Sequence, residues 1–229
     1  MSQDKSVEKT TFPINSLEYW DDRFRSGDWR EHLGNYQTQF FGEVLLSLLP
    51  DWLCKDIAEH SMSLCDWGCA EGQTAHLMKK RFPASAVTGV DVSTHAVLKA
   101  KELFPECNFN QENWLATKEI NSKYDVIIVS NVLEHFDDPI CILRDVLFQR
   151  ASNYVVLLVP YDEPAESMHE EHVFRFVAEA IPSNFILEGW HCVSFRIENT
   201  QKYLNTQWQG NQALVVYSSA KHLMELKHW

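Results

Sequence analysis

Residues 64–76, LCDWGCAEGQTAH, run from an apolar segment into Asp66, turn through Gly68, Ala70 and Gly72, and then take on helical spacing. A strand that feeds straight into a helix must reverse within a few residues, and glycine reaches backbone angles that a side chain forbids. Small residues also let a ligand approach the main chain closely. The helix that follows presents unpaired N–H groups and a partial positive charge at its start, which suits a carboxylate or a phosphate. One such turn is equally an ordinary strand-to-helix connection, so the rest of the chain has to discriminate. A dinucleotide fingerprint, G-x-G-x-x-G, needs a third glycine where helix and strand pack together. Counted from Gly68, its places hold Gly68, Ala70 and Gln73, which disfavours a nicotinamide oxidoreductase.

Further alternations follow. Residues 86–104, AVTGVDVSTHAVLKAKELF, read as a second strand ending in Asp91, with Ser93 or Thr94 capping a helix. Asp91 stands one β-α-β unit beyond Gly68, the place from which a carboxylate can accept both hydroxyls of an adenosine ribose. Residues 108–114, NFNQENW, read as a short third strand ending at Asn113 and Trp114. In residues 124–139, YDVIIVSNVLEHFDDP, an unbroken apolar run follows Asp125 and stops at Ser130 and Asn131, as expected of a strand buried on both faces of a parallel sheet. A helix from Asp138 and a fifth strand over residues 153–160, broken by Pro160, come next. Residues 171–182 continue as a helix; residues 189–200 and 212–222 form two strands joined by an exposed polar hairpin loop, so the last strand is antiparallel.

Four features now stand in order: acidic-x-Gly-x-small-x-Gly at Asp66, Gly68, Ala70 and Gly72; Asp91; the third strand end; and Val132-Leu133-Glu134-His135 after the fourth strand. Over roughly residues 60–160 the chain resembles the class I S-adenosylmethionine-dependent methyltransferases. Ala70 stands where a middle glycine is more usual, and Asn113 where Asp is commoner. The resemblance implies an α/β, Rossmann-like fold: a seven-stranded, mostly parallel sheet with an antiparallel last strand and helices on both faces. It implies S-adenosylmethionine as cofactor, with Asp66, Gly68, Cys69, Ala70 and Gly72 cradling the methionine end. Asp91 would take the ribose, Asn113 and Trp114 the adenine, and Ser130 the sulfonium side, with Val92 also among the cofactor-binding residues. The length suits one methyltransferase domain over residues 16–229, with a helical cap at 16–58 and a frayed, disordered tail at 1–15. The aromatics of the cap, Tyr19, Trp20, Phe24, Trp29, Tyr36, Phe40 and Phe41, are mostly expected to pack, with Trp20 or Tyr19 touching the cofactor.

Methyl transfer is an in-line displacement, so the protein must align donor and acceptor within about 3–3.5 Å and supply the acceptor as a free lone pair. An acceptor that loses its proton benefits from a base with a pKa near the working pH, and histidine is the natural choice. His135 follows the fourth strand and His172 sits beyond the fifth, so Glu134, His135 and His172 are taken as the catalytic group; the bland alternative is that they only brace the crevice. Glu134, His135 and His172 also resemble part of the metal site of small-RNA terminal 2′-O-methyltransferases, a Glu-x-x-Glu-His pattern with a later histidine, although Asn131 replaces the first glutamate. The main reading assigns no metal.

A formal net charge of −12 and a densest basic stretch, Lys79-Lys80-Arg81, that merely ends a helix disfavour nucleic acid as partner. Asp162, Glu163, Glu166, Glu170 and Glu171 after the fifth strand favour a cationic or hydroxyl-rich acceptor: a small molecule, a sugar or a glycan-like compound. No apolar run reaches membrane-span length and the first residues lack a signal-peptide core, so a cytoplasmic location is expected. Six cysteines without a C-x-x-C pair read as small apolar residues free of disulfides. The reading is methyl transfer to an oxygen or nitrogen of such an acceptor. A metal-dependent RNA 2′-O-methyltransferase and a non-catalytic cofactor-binding module stand as alternatives, and the oligomeric state is open.

Overall fold

The computed structural model describes residues 12–166, 168–180, 189–203 and 207–226. Ser16 accepts a hydrogen bond from Tyr19 N at 3.1 Å and starts helix α1 (Leu17–Ser26), which Gly27 ends in a left-handed conformation. Helices α2 (Asp28–Glu31), α3 (Gly34–Leu48) and α4 (Asp51–His60) complete the expected N-terminal helical region. Strand β1 (Leu64–Trp67), helix α5 (Gln73–Arg81), strand β2 (Val87–Asp91), helix α6 (Thr94–Leu103), and strands β3 (Asn108–Gln111) and β4 (Tyr124–Ser130) alternate as the sequence pattern predicts. Helix α7 (Pro139–Ile142), a π turn over Leu143–Leu147 and helix α8 (Phe148–Arg150) lead into β5 (Ala151–Tyr161), β6 (Trp190–Asn199), β7 (Asn211–Ser219) and helix α9 (Ala220–Leu226).

The seven strands form one sheet in the order β3-β2-β1-β4-β5-β7-β6. β7 is antiparallel to both β5 and β6, so the other six point one way, as expected. The apolar run of β4 is explained by burial on two faces: Val126 and Ile128 enter one core, Ile127 and Val129 the other. β5 divides likewise, Tyr154, Val156 and Leu158 facing one side and Val155, Leu157 and Val159 the other. Strands covered by helices on both faces have no room for a polar alternation.

Several expectations are corrected. β5 is not broken by Pro160 but continues to Tyr161, because β4 pairs no farther than Ser130↔Leu158 and Pro160 pairs only with Gln212 of β7. On the β4 side, then, no ladder bond is lost to the missing N–H. β3 stops at Gln111, leaving Asn113 and Trp114 in the turn beyond. Residues 171–180 form no helix: Val173 N and Phe174 N donate to Glu134 O at 2.9 and 3.1 Å, and Asp162 N donates to Phe176 O at 2.8 Å, which gives these backbone groups tertiary partners instead of helical ones. Residues 181 and 182 of that expected helix lie outside the described residues. The β6–β7 loop is not simply exposed, for Tyr203 and Trp208 pack on Phe40 of α3 with ring centroids 5.6 and 5.5 Å apart. Residues 220–222, expected at the end of a strand, begin α9. Of the expected tail, residues 1–11 lie outside the described residues, while Asn15 donates its side-chain amide to Glu171 O at 2.7 Å. All six cysteines are free; Cys65, Cys69 and Cys107 are buried and the others half-buried. Among the described residues no helix is long and apolar enough to cross a membrane.

Candidate functional site

The strand order reverses between β1 and β4, and a ligand crevice in such a sheet opens beyond the carboxyl ends of the strands at that point. Here the two strand ends touch. A Cβ on Gly68, which has φ +77°, would lie 2.5 Å from Val132 Cγ2, and one on Gly72, at φ +89°, would lie 2.7 Å from the Phe109 ring. These glycines are demanded both by the turn and by what packs on it. Gly68 N and Cys69 N donate to Val90 O at 2.8 and 3.1 Å, fixing the turn to the end of β2. The Cys69 thiol is buried in the core, so only its backbone belongs to the turn. Ala70 takes a left-handed φ of 48°.

Asp91 joins the two strand ends. Its Oδ2 accepts from Ala70 N at 2.9 Å and its Oδ1 from Ser93 N at 2.8 Å. Burial raises its carboxyl above the usual range, opposed by the N–H groups of Ser93, Ala70 and Val92. Ser93 caps α6 through Ala96 N, as expected. Asp66 is 2 % exposed and its Oδ2 has no hydrogen-bond partner. Burial pushes its pKa up to about 7, with the Ala75 N–H opposing and Asp91 adding to the rise. A buried carboxylate oxygen without a partner is costly, and it marks a place where a donor is missing.

The adenine-side residues are placed differently. Asn113 Oδ1 accepts from Leu115 N at 3.1 Å, closing a local turn. Trp114 is 3 % exposed, is stacked with Trp67 and Tyr124, and donates its Nε1–H to Glu112 Oε2 at 2.7 Å. Its ring is thus absorbed into the core beneath the third strand end. Val92 and Ser130 are half-buried at the ends of β2 and β4.

On the other side of the reversal a single 3-10 turn, Leu133–His135, carries Glu134 and His135. Glu134 is fully buried and neither of its carboxylate oxygens has a hydrogen-bond partner. Burial raises its pKa to about 8, against the pull of His172. His135 Nδ1 lies 3.0 Å from Glu171 O, so Nδ1 carries the proton; burial lowers its pKa to about 4 and keeps the ring neutral. His172 Nδ1 lies 2.8 Å from Glu163 Oε2. Its burial would lower its pKa, but the bond to Glu163 and the charges of Glu134, Glu163 and Glu171 outweigh this and raise it. The two imidazoles lie 5.4 Å apart between centroids, and one donor atom from each of Glu134, His135 and His172 falls within 4.8 Å of the other two. The three predicted residues do converge.

What the sequence reading misses is the fastening of α1. Asp21 Oδ1 accepts from Ser93 Oγ at 2.6 Å and its Oδ2 meets His95 Nδ1 at 3.0 Å, beside Asp91. Trp20, the next residue back, packs its ring on His135 at 5.0 Å. Tyr19 and Arg23 both donate to the Glu171 carboxylate, whose backbone carbonyl holds His135. Arg30 pairs with buried Glu71 of the first turn at 2.8 Å. One signal was available: Tyr19 and Arg23 share a helix face four residues apart, and a cation on a buried aromatic face requires an anionic partner. The loop acids are correspondingly committed. Asp162 pairs with Arg175, Glu163 with His172 and Glu171 with Arg23, while Glu166 and Glu170 are exposed.

With this geometry in view, the chain can be set beside known proteins. A family described as a methyltransferase domain matches residues 65–148. Trans-aconitate 2-methyltransferase of Agrobacterium fabrum is 26 % identical over 119 residues, covering 52 % of this chain and 46 % of the relative. The enzyme of that name from Enterobacter sp. is 27 % identical over 146 residues, covering 62 % and 54 %. The structure of magnesium protoporphyrin IX methyltransferase from Synechocystis PCC 6803 with bound S-adenosylhomocysteine aligns with TM-score 0.61 at 15 % identity over 87 % of this chain and 97 % of that one. Residues 65–148 are thus similar to a methyltransferase domain, and the fold is the one shared by these solved methyltransferases. A plantazolicin methyltransferase, BpumL, solved with a substrate analogue and S-adenosylhomocysteine, shares the fold at TM-score 0.60 and 16 % identity, covering 89 % of this chain and 94 % of that one. The chain spans about half the length of the curated methyltransferases it matches, 46 % and 49 % of the first two. The match begins one residue before Asp66 and ends at the π turn and α8, so it covers the Gly68–Gly72 turn and the Glu134-His135 segment but neither α1 nor His172.

Proposed function

We propose that this methyltransferase transfers a methyl group to an oxygen or nitrogen of a small, hydroxyl- or amine-bearing acceptor, a class that includes sugars and glycan-like molecules. The observation that carries the reading is the meeting, at one strand reversal, of a turn with an orphaned carboxylate oxygen and a buried Glu-His-His group with two more. The residues fit the cofactor. Asp66 offers an unpartnered oxygen for a cationic amine, and Asp91, with one backbone bond on each oxygen, retains lone pairs for two ribose hydroxyls. The turn from Gly68 to Gly72 leads into the N-terminus of α5, suited to a carboxylate. When bound, the cofactor supplies an electrophilic methyl group on a sulfonium, and transfer leaves a neutral thioether and one proton from the acceptor.

The chain's own residues then have two tasks. Asp66, Asp91 and the backbone of the Gly68–Gly72 turn orient the donor, with Val92, Asn113 and Trp114 shaping the far end and Ser130 the β4 side. Glu134, His135 and His172 prepare the acceptor's lone pair, and Trp20 on His135 excludes water from above. With three of the five loop acids paired internally, charge alone gives weaker support to a cationic acceptor than the sequence does. A non-catalytic module is separated from this reading by product formation. Incubation of the full chain with methyl-labelled S-adenosylmethionine and a panel of hydroxy acids, sugars and amines is expected to give labelled product from at least one acceptor. Failure to bind S-adenosylmethionine or S-adenosylhomocysteine at millimolar concentration overturns the reading.

A further inference from the structure

Parallel strands are usually joined by a helix, whose carbonyls are bonded within the helix itself. Residues 112–123, which carry the chain from the end of β3 past β2 and β1 to the start of β4, form none. Their place against the sheet is taken by one aromatic side chain. Trp114 shares a core with Cys65, Trp67, Val90 and Ile127, and stacks on Trp67 and Tyr124 at 6.1 and 6.2 Å. The carbonyls are served from outside the segment by Arg150, which ends α8. Its Nη2 donates to Thr117 O at 3.3 Å and Glu119 O at 3.1 Å, and its Nη1 to Val146 O at 3.2 Å. The guanidinium carbon stands 5.1 Å from the centre of the Trp114 ring. Arg150 is 3 % exposed, so carbonyls and an aromatic face replace its water, a costly place for a cation.

The other end of the segment is tied to the donor side of the crevice. Glu112 N donates to Asp91 O at 3.0 Å, and Glu112 Oε2 accepts from Trp114 Nε1 at 2.7 Å. Asn113 lies between these fixed points and turns on itself: its Oδ1 accepts from Leu115 N at 3.1 Å and its O from Ala116 N at 3.2 Å. We propose that Arg150 is a positioning residue for the adenine end of the donor pocket, holding residues 114–119 against the sheet and so setting where Asn113 meets the base. The inference rests on the reading of Asp91 and Asn113 as donor-binding residues. The second lone pair of Asn113 Oδ1 is left for an exocyclic amine, which adenine carries and hypoxanthine lacks. Arg150 touches no part of the donor itself; it acts through the backbone it grips.

The test titrates the full chain by calorimetry with S-adenosylhomocysteine and with S-inosylhomocysteine, which has a carbonyl in place of that amine. The parent is expected to prefer the adenosyl compound about tenfold, the scale of one hydrogen bond. Arg150→Met, checked by circular dichroism, frees the two segment carbonyls and should reduce this preference to about twofold, chiefly by weakening the adenosyl compound. Arg150→Lys, which keeps the charge but not the fork, should fall between the two, and it carries the test if the methionine variant does not fold. Arg144→Ala, which loses only a surface pair with Asp145, should leave the preference as it is. A merely structural role would weaken both compounds alike. A preference unchanged in the folded Arg150 variants therefore overturns the proposal, whether or not affinity falls. A parent that binds neither compound removes the donor reading itself, and the role of Arg150 with it; a parent that binds S-adenosylhomocysteine with a preference that Arg150 does not govern removes this inference alone.

Discussion

The two halves of the crevice are built by different means. The half proposed to hold the donor is a local construction: one turn and two strand ends, held by backbone bonds from Gly68, Cys69 and Ala70 to Val90 and Asp91. The half proposed to receive the acceptor is assembled from afar, with Tyr19 and Glu171 152 residues apart and Asn15 and Glu171 156 apart in sequence. A local device can be carried by a short motif and kept while the rest of a chain changes; a distant assembly can be altered one contact at a time. Such a division lets one fold keep a constant site on one side and change the other.

If the division holds, substitutions should sort by half. His135→Ala is expected to cost about 10²–10⁴ in kcat by removing a group that prepares the acceptor, with S-adenosylhomocysteine affinity by calorimetry within about threefold of the parent. Equal losses in both would erase the distinction. Asp91→Ala should do the opposite, weakening S-adenosylhomocysteine binding about 10–100-fold, as expected for hydrogen bonds to a charged group, with circular dichroism showing the fold intact. Gly68→Ala tests the seam between the halves. The added methyl meets Val132 Cγ2 in a left-handed conformation, and a loss of about 1–3 kcal/mol in denaturant unfolding is expected; Val132→Ala in the same chain should recover part of it.

A further effect concerns pH. Asp66 is raised in the folded protein from 3.8 to about 7, so between these values the native state binds the proton more tightly than the unfolded chain. Asp66 is therefore protonated in both states below its unfolded value, and its contribution to stability falls as pH rises from 3.8 and levels off near 7. The slope is on the order of 1.4 kcal/mol per pH unit at most. Thermal melts of the parent and Asp66→Asn across that range should converge at low pH and diverge as pH rises, with the parent losing more. Parallel curves would mean that Asp66 is not the isolated carboxyl its burial indicates.

Much of the fold is legible because two-sided burial writes itself into the sequence as unbroken apolar runs, and because Ser93 and Gly27 mark helix ends with side-chain or backbone chemistry. The stretch after His172 misleads for the opposite reason: its apolar residues have helical spacing, but their backbone groups are taken by Glu134 and Asp162, and a tertiary bond is invisible to periodicity. In the donor half Asp66, Gly68 and Asp91 were readable from spacing. In the acceptor half His135 and His172 were readable as residue types near the crevice, whereas Glu171 looked like one acid among five on a solvated loop. Only its partners Tyr19 and Arg23 distinguish it, and they come from the far end of the chain.

Helix α1 is fastened to both sides of the crevice, by Asp21 at Ser93 and His95, by Tyr19 and Arg23 at Glu171, and by Trp20 at His135. Most of those rivets are polar or ionic and few are greasy, but only the Asp21–His95 pair is open to water while Arg23 and Glu171 are nearly buried, so dissolved salt dampens the grip at the His95 end of the bar and spares the Glu171 end. Raising ionic strength should therefore quicken the exchange of spent donor for fresh without loosening the sheet beneath.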